Sequence, residues 1–215
     1  MRGVLIAFEG IEGSGKTTQA KLLYSYLKEK SLPCIFTREP GGTEIGEKIR
    51  EILLDVKNKN MHPKTELLLY LASRCQHTYE KIFPELQKGT IVITDRYGLS
   101  SMAYQGGARG LTFKVVSRLN KFATANLKPD LTILVDVPVD VGLSRVGNRT
   151  LDRLEQEEVE FHQKIRTAYL ILAKKAPKKI LVFSGTKSEN ELHQEIREKV
   201  VAFLSNRGIK VDKKS

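Results

Sequence analysis

The sequence predicts an α/β fold in which a five-stranded parallel sheet is covered by helices on both faces. Two observations lead to this prediction. Short runs rich in β-branched residues alternate with longer stretches of helical periodicity, and motifs rich in glycine or charge follow directly after several of those runs. Strands joined through helices run parallel in one sheet, and ligands gather at their carboxyl ends. We therefore expect residues 1–215 to form a single domain.

The elements follow from the spacing of apolar residues and from turn signals. The predicted strands are residues 3–8, 33–37, 90–94, 131–136 and 179–183, and the predicted helices are 17–30, 43–54, 63–87, 112–126, 155–175 and 189–204. The first helix is amphipathic, because Leu23 and Leu27 recur at i, i+4 spacing. Pro63 suits the first turn of the third helix, where the proline N–H is not needed. The tail at 206–215 is expected to be flexible.

The composition restricts the partners that the chain can have. The net charge of +11 is compatible with a nucleic-acid partner, and equally with a protein that surrounds small polyphosphates with arginines. The basic residues are dispersed apart from 174–179 and 210–215, and no basic stripe alternates with aromatic residues. This pattern favours small polyphosphates, so we do not expect nucleic acid as a partner.

The apolar residues and the cysteines indicate the cellular compartment in which we expect the protein. The sequence shows no charged-then-apolar leader and no apolar run long enough to span a bilayer, so we expect no membrane association. Cys34 and Cys75 lack CxxC spacing and lie in apolar or helical contexts. Reduced thiols are expected in the cytoplasm, which is the predicted location.

The most informative motif lies between the first strand and the first helix. It consists of Gly10, Ile11, Glu12, Gly13, Ser14, Gly15, Lys16, Thr17 and Thr18. This is the pattern G-x-x-x-x-G-K-[ST], whose glycines let successive backbone N–H groups point into one concavity. Lys16 can then reach the β- and γ-phosphates of ATP, and the Thr17 hydroxyl can ligate Mg²⁺. A glycine-rich turn without a ligand is the alternative, but the flanking strand and helix favour a nucleotide site.

A second charged motif follows the third predicted strand. Asp95 and Arg96 come directly after the buried run Thr90-Ile91-Val92-Ile93-Thr94. A carboxylate at the end of a strand beside the phosphate-loop strand can bind Mg²⁺ or its water. The planar guanidinium of Arg96 can hold a phosphate through two hydrogen bonds. An isolated Asp-Arg pair would be an ordinary surface turn, and the phosphate loop upstream makes the functional interpretation preferable.

Several segments in order and spacing resemble the thymidylate kinase family. They are FEGIEGSGKTT at 8–18, TREPGGT at 37–43, YLASR at 70–74, DRY at 95–97, SSMAYQG at 100–106 and LDRLE at 151–155. The resemblance covers nearly the whole chain and implies a P-loop nucleoside monophosphate kinase fold. It also implies that MgATP phosphorylates dTMP to dTDP, in dTTP synthesis, and that the chain forms a homodimer.

The resemblance implies which residues bind the base and sugar of dTMP. Tyr70 and Arg74 are one helical turn apart, so an aromatic ring can stack on the pyrimidine while the arginine reaches a base carbonyl. By the same resemblance Ser101 and Gln105 lie near the base, and Tyr104 packs under the deoxyribose, where a 2′-hydroxyl would crowd. The alternative is that Tyr70 is a core residue and Arg74 a solvated charge.

Two further residues are assigned to dTMP by the resemblance. Glu12 is placed in the phosphate loop, close to the negative charge of the triphosphate, and is implied to face the 3′-hydroxyl of dTMP or the metal shell. Arg38, at the end of the second strand, is implied to approach the acceptor phosphate. The adenine of ATP is expected against the loop 184–188.

Phosphoryl transfer also requires a cation that meets the γ-phosphate as it moves. One branch of the family has an arginine for this purpose within the phosphate loop, where this chain has Gly13. The segment at about 142–154 resembles the lid of the bacterial branch, which supplies the arginine instead. We expect Arg149 in this role, with Arg153 second and Arg145 third. The alternative is an exposed loop with solvated charges.

Three other functions are compatible with parts of the pattern. A kinase for another nucleoside monophosphate would share the phosphate loop, a basic P-loop ATPase would be stimulated by DNA or RNA, and a regulatory switch would bind nucleotide without turnover. The segments at 70–74 and 100–106 favour dTMP.

Overall fold

The computed structural model describes residues 2–147 and 151–211. Its strands are β1 Val4–Glu9, β2 Cys34–Arg38, β3 Ile91–Asp95, β4 Leu131–Asp136 and β5 Ile180–Ser184. All neighbouring strands pair in parallel, in the order β2-β3-β1-β4-β5. The predicted five-stranded parallel sheet is therefore confirmed, with four of the strands displaced by one residue from the predicted bounds.

The helices of the described residues agree with the predictions except in four places, one of which is a helix at 139–146 that was not predicted. They are α1 Lys16–Glu29, α2 Glu44–Leu54, α3 Pro63–His77, α4 Phe83–Gln87, α5 Gly98–Ser101, α6 Phe113–Ala123, α7 Val139–Val146, α8 Val159–Lys175 and α9 Glu189–Ser205. Wider π-helical turns occupy Thr78–Ile82 and Met102–Ala108, and a 3-10 turn occupies Val56–Asn58.

The other three differences have local causes. The helix predicted at 63–87 has the right extent, but a π-helical segment separates α3 from α4. Residues 98–108 are helical, although no helix was predicted there. The α-helical part has only four residues, and the seven that follow form a π-helical segment whose period differs from that of an α-helix, so the sequence pattern did not reveal it. The helix predicted from residue 155 begins at Val159, since the carboxylate of Asp152 accepts the backbone N–H groups of Leu154 and Glu155 and closes a turn there.

The core lies on both faces of the sheet. Along β1 the side chains of Ile6 and Phe8 pack with α1 and α9, whereas those of Leu5 and Ala7 pack with α4 and the preceding turn. All four side chains are fully buried. Helices on both faces are what the near-continuous apolar composition of a parallel strand predicts.

The register brings the ends of the motif-bearing strands together. Phe8 pairs with Asp95 across β1 and β3, and Arg38 pairs with Asp95 across β2 and β3. The phosphate loop, Asp95 and Arg38 therefore begin at the same edge of the sheet. No helix among the described residues is both long and apolar enough to cross a membrane.

Candidate active site

The phosphate loop packs directly against α7, and this contact explains Gly13. The φ of Gly13 is 68°, and a Cβ added there would lie 1.9 Å from the backbone oxygen of Gly142. An atom at that distance cannot be accommodated unless the backbone moves. A side chain at position 13, an arginine included, would therefore require the phosphate loop or α7 to shift.

Lys16 and Glu12 form the charged centre of the loop. Lys16 is 5% exposed, and its Nζ donates to the backbone oxygen of Ile11 at 3.2 Å and lies 3.4 Å from Glu12 Oε2. Glu12 also pairs with Arg96. Burial by itself would raise the pKa of Glu12, but the charges of Arg96 and Lys16 outweigh it and hold this pKa well below its usual range. Glu12 is therefore an anion at neutral pH.

Thr17 and Asp95 offer oxygen atoms that suit a hard divalent cation. The Thr17 hydroxyl donates to Asp95 Oδ2, and Asp95 Oδ1 is buried without a hydrogen-bond partner among the described residues. Within residues 2–147 and 151–211 no three His, Cys, Asp or Glu side chains converge into a metal cluster. This pair fits Mg²⁺, which takes few protein ligands and completes its shell with phosphates and water.

Arg96 is held rigidly at the rim of the phosphate loop. Its backbone has a left-handed φ of 71°, and its N–H donates to the oxygen of Phe8 at 2.8 Å. The guanidinium donates to the oxygen of Gly10 at 3.1 Å and to the Tyr104 hydroxyl at 3.0 Å, and lies 5.1 Å from the centre of the Tyr104 ring. A strained, fully supported residue of this kind is typical of a functional site.

Glu9 holds the segment that follows Arg96 through hydrogen bonds to Tyr97 and Ser100, and it was not predicted as a site residue from the sequence. Its buried carboxylate accepts the backbone N–H groups of Tyr97 at 2.9 Å and Ser100 at 3.2 Å, together with the hydroxyls of Ser100 at 2.6 Å and Tyr169 at 2.9 Å. Burial raises the pKa of Glu9, although these hydrogen bonds act against it. The sequence signal that could have identified Glu9 is its position as an acidic residue at the end of an otherwise apolar strand.

A first cavity, of about 490 Å³, gathers most of the predicted dTMP residues. The predicted residues that line it are Glu12, Lys16, Thr17, Arg38, Tyr70, Asp95, Arg96, Ser101, Tyr104 and Gln105. Arg50 also lines it, and was missed because it lies in a charged stretch of α2; its guanidinium donates to the oxygen of Pro40 at 3.0 Å. Burial and the neighbouring charge of Arg38 lower the pKa of Arg50.

A second cavity, of about 450 Å³, lies on the other side of the phosphate loop. The loop residues from Glu12 to Gln19 line it together with Arg145, Gly185 and Lys187. Arg145 donates to the backbone oxygen of Gly185 at 2.8 Å. Glu12, Lys16 and Thr17 border both cavities, so two ligands would meet at these three residues.

Arg74 is not among the described residues that line either cavity. Its Nε donates to Glu39 Oε2 at 2.6 Å, its Nη1 to Ser101 Oγ at 2.8 Å and Asn120 Oδ1 at 2.6 Å, and its Nη2 to the oxygen of Tyr97 at 3.0 Å. These bonds use four of the five N–H groups of a guanidinium. Arg74 is 1% exposed, so the alternative that it is a solvated charge is wrong.

The lid arginines lie in different environments. Arg149 lies outside the described residues, so its placement stays a prediction. Arg153 is buried, where its Nε donates to the oxygen of Leu53 at 2.9 Å and its Nη1 lies 2.7 Å from Glu66 Oε2. The structure thus places Arg153 in an ion pair with α3 rather than over the phosphate loop.

The fold and the site together define a P-loop kinase: a phosphate loop between β1 and α1, an aspartate at the end of the adjacent strand, and two cavities that share the loop lysine. Comparisons with known proteins give the family. The model of the family described as thymidylate kinase matches residues 8–196. The chain belongs to the thymidylate kinase family.

The chain aligns with individual relatives along nearly their full lengths. The chain is 50% identical to a thymidylate kinase of Carboxydothermus hydrogenoformans, over 92% of this chain and 96% of that protein. It is 46% identical to one of Kosmotoga olearia, over 95% of this chain and 99% of that protein. A crystal structure of thymidylate kinase from Ehrlichia chaffeensis matches with a TM-score of 0.76 and 32% identity, over 93% of this chain and 99% of that chain.

Proposed function

We propose that this chain phosphorylates dTMP to dTDP with ATP, and that its two cavities hold the two nucleotides on opposite sides of the phosphate loop. One observation carries the assignment of the cavities: Glu12, Lys16 and Thr17 border both of them. Transfer in line requires that the donor and acceptor phosphates meet at one point. The three shared residues mark that point.

The second cavity is assigned to ATP. The N–H groups of residues 10–18 and the positive end of α1 cradle the phosphates, and Lys16 reaches the β- and γ-phosphates. Arg145, Gly185 and Lys187 extend this cavity toward the loop 184–188, which supports the adenine assignment. Lys16 would exchange its contact with Glu12 for the phosphates when ATP binds.

Thr17 and Asp95 are assigned to Mg²⁺. The unpartnered Asp95 Oδ1 of the described structure supports this, because a buried carboxylate oxygen without a donor suits a cation or its water. The ion would neutralise charge on the transferred phosphates. Asp95 would hold it from the end of β3, and the Thr17 hydroxyl from the start of α1.

The first cavity is assigned to dTMP. Arg38, Arg50 and Arg96 supply positive charge for the acceptor phosphate, and all three line this cavity. Tyr70, Ser101 and Gln105 line its other end, which we assign to the base. Arg74 supports Ser101 through a hydrogen bond of 2.8 Å, and it has at most one N–H left for the base.

Tyr104 and Glu12 are assigned to the sugar. The Tyr104 hydroxyl lies 3.3 Å from Glu12 Oε1, so the two side chains form one polar edge of the cavity. The ring of Tyr104 would pack under the deoxyribose and crowd a 2′-hydroxyl. The ionised Glu12 carboxylate would accept the 3′-hydroxyl of dTMP.

The transfer itself is positioning and charge neutralisation. An oxygen of the dTMP phosphate forms a bond to the γ-phosphorus while the bond from that phosphorus to the β,γ-bridging oxygen breaks, which releases ADP. Lys16 and Arg96 stabilise the charge from the loop side. Because position 13 is a glycine packed against α7, the phosphate loop supplies no arginine, and we assign the cation on the other side to the lid residue Arg149.

The substrate assignment is tested by ADP release from MgATP with each nucleoside monophosphate in turn. We expect dTMP to be the preferred acceptor. Similar rates with other monophosphates would indicate a general kinase, hydrolysis stimulated by DNA or RNA would indicate a nucleic-acid ATPase, and tight ATP binding without turnover would indicate a switch.

We also propose a homodimer in which α3 and α6 contribute to the interface. Leu68 on α3 is 57% exposed, and Val115 and Phe122 on α6 are 49% and 85% exposed, which is a large apolar exposure for two neighbouring helices. Phe122→Lys should shift the mass measured by sedimentation toward the monomer. A single domain over 1–215, with a lid at 142–154, and a cytoplasmic location complete the proposal; the free thiols of Cys34 and Cys75 support the location.

A further inference from the structure

A buried carboxylate on α3 joins three segments of the molecule at the base end of the first cavity. Glu66 is fully buried, and its Oε1 accepts Gln105 Nε2 at 2.9 Å and Arg109 Nε at 3.3 Å. Its Oε2 lies 3.1 Å from Arg109 Nη2 and 2.7 Å from Arg153 Nη1. Glu66 thus contacts the π-helical segment and the lid at the same time.

The cluster keeps Glu66 ionised. Burial alone would raise the pKa of Glu66, but the hydrogen bonds from Arg109 and Gln105 and the guanidinium of Arg153 outweigh it and lower this pKa. Arg109 in turn pairs with Glu157 and lies 4.4 Å from the centre of the Phe161 ring. Arg109 and Arg153 together carry two positive charges, which balance the two negative charges of Glu66 and Glu157. An ionised carboxylate can accept hydrogen bonds but cannot donate them.

The ionised state of Glu66 determines how the amide of Gln105 is turned. Only the NH₂ group of an amide can donate, so Nε2 must face Glu66 and Oε1 occupies the other branch of the amide. Gln105 is 1% exposed and lines the first cavity together with Tyr70. A ligand in this cavity therefore meets an amide group whose donor and acceptor positions are fixed by its hydrogen bond to Glu66.

We propose that Glu66 is a positioning residue that fixes the hydrogen-bond polarity of Gln105 and thereby favours thymine over cytosine. Thymine carries an N–H at ring nitrogen N3, which a carbonyl oxygen can accept. Cytosine carries a lone pair at the same nitrogen, which the Gln105 oxygen repels. The proposal rests on the proposed function, since it takes Gln105 to face the base of the bound monophosphate.

The test compares equilibrium dissociation constants of dTMP and dCMP for the wild-type protein and for Glu66→Gln. A glutamine at position 66 can donate as well as accept, so the amide of Gln105 becomes free to turn over. We expect the preference for dTMP over dCMP to fall about tenfold, as expected for one misdirected hydrogen bond, while ATP affinity is unchanged. An unaltered preference in a folded Glu66→Gln protein would overturn the proposal.

Glu157→Gln is the matched control, because it removes a carboxylate from the same Arg109 without touching the partner of Gln105. Its base preference should equal that of the wild type, and a tenfold loss there would attribute the effect to charge alone and overturn the proposal. If Glu66→Gln does not fold, Gln105→Met carries the test. This variant must lose the preference, and a retained preference would exclude Gln105 as the reader.

The failures of the two proposals are distinguishable. A wild-type protein that releases no ADP with dTMP contradicts the proposed function whatever Glu66 does. A wild-type protein that phosphorylates dTMP, with a Glu66→Gln variant of unchanged selectivity, contradicts the role of Glu66 alone. In the double variant Glu66→Gln/Gln105→Met, the first change should have no further effect on selectivity, which a merely structural role would not produce.

Discussion

The two ends of the first cavity are built in opposite ways. At the phosphate end, Asp95 Oδ1 is buried without a hydrogen-bond partner among the described residues. At the base end, Arg74 makes four hydrogen bonds and Glu66 accepts from three side chains. Phosphates are bound through charge, which requires groups that are still available. A base is distinguished by the direction of its donors and acceptors, which requires groups whose direction is already fixed.

The phosphate end gives the largest expected effect. Lys16→Ala should abolish phosphoryl transfer, because it removes the ammonium that we assign to the β- and γ-phosphates. The melting temperature should change little, since Glu12 keeps its ion pair with Arg96. ADP release and thermal unfolding measure the two effects. Lys28→Ala, at an exposed position of the same helix, is the control and should leave turnover unchanged.

A retained turnover in Lys16→Ala would contradict the assignment of the phosphate loop. It would also remove the contrast between the two ends of the cavity, since the shared residues would then carry no chemistry.

The lid sharpens the comparison, because the arginine that we assign there would act only during transfer. Arg149→Ala should lower kcat by about 10³-fold or more, the order expected for an arginine that meets the transferred phosphoryl group. The dissociation constant of ATP should change much less, since the contact forms on closure. Arg149→Lys should recover only part of the loss, because an ammonium lacks the planar donor fork. Single-turnover rates and equilibrium ATP binding separate these effects.

Arg145→Ala provides the contrasting variant. Arg145 borders the second cavity and donates to Gly185, so its loss should weaken ATP binding more than turnover. If Arg149→Ala weakens ATP binding as much as it lowers kcat, Arg149 only anchors ATP. If Arg149→Ala changes neither quantity, the lid arginine has been assigned to the wrong residue.

The phosphate end could be predicted from the sequence because its residues are close along the chain. The loop from Gly10 to Thr18 is one continuous motif, and Asp95 and Arg96 follow a strand that any parallel arrangement brings to the same edge. The all-parallel sheet follows from the same regularity, whereas the strand order came from the structure. Here local pattern and tertiary structure agree, which is why the prediction of the fold is confirmed.

The base end could not be predicted in the same way, because it depends on partners distant along the chain. Nothing near Arg74 in the sequence shows that Glu39 and Asn120 occupy its donors. The same holds for Arg153, which the sequence offered as a lid cation and which pairs with Glu66 on α3. Charged residues that are scattered along the chain converge only once the helices have packed.

The base end gives the largest expected change in stability. Arg74→Ala should lower the free energy of unfolding by about 3–5 kcal/mol, because it leaves the buried carboxylate of Glu39 without its cation. It should also weaken dTMP binding far more than ATP binding, since Ser101 loses its donor. Denaturant unfolding and binding measurements test the two effects. Lys174→Ala, at an exposed position of α8, is the control and should leave both unchanged.

A loss of stability below about 1 kcal/mol in Arg74→Ala, as for a surface ion pair, would mean that the base end is not a locked network. Equal weakening of dTMP and ATP would indicate general destabilisation instead. Either result would break the contrast with the phosphate end.

The smallest effect should come from Asp95, whose carboxylate has one oxygen without a hydrogen-bond partner among the described residues. Asp95→Asn keeps the shape of the side chain and an acceptor for the Thr17 hydroxyl, but removes the negative charge that suits a cation. The Mg²⁺ concentration required for half-maximal turnover should therefore rise about tenfold or more, the range found for groups that support a bound metal. Turnover at saturating Mg²⁺ should recover in large part, because the ion remains the principal charge at the phosphates. Asp136→Asn is the matched control: Asp136 ends β4, which lies on the other side of β1, but it is paired with Arg166 at 2.8 Å, so its loss should reduce stability and leave the Mg²⁺ dependence unchanged. If the two variants show the same Mg²⁺ dependence, the unpartnered oxygen of Asp95 does not bind a metal. The phosphate end would then not differ from the base end in keeping a polar group available for a ligand.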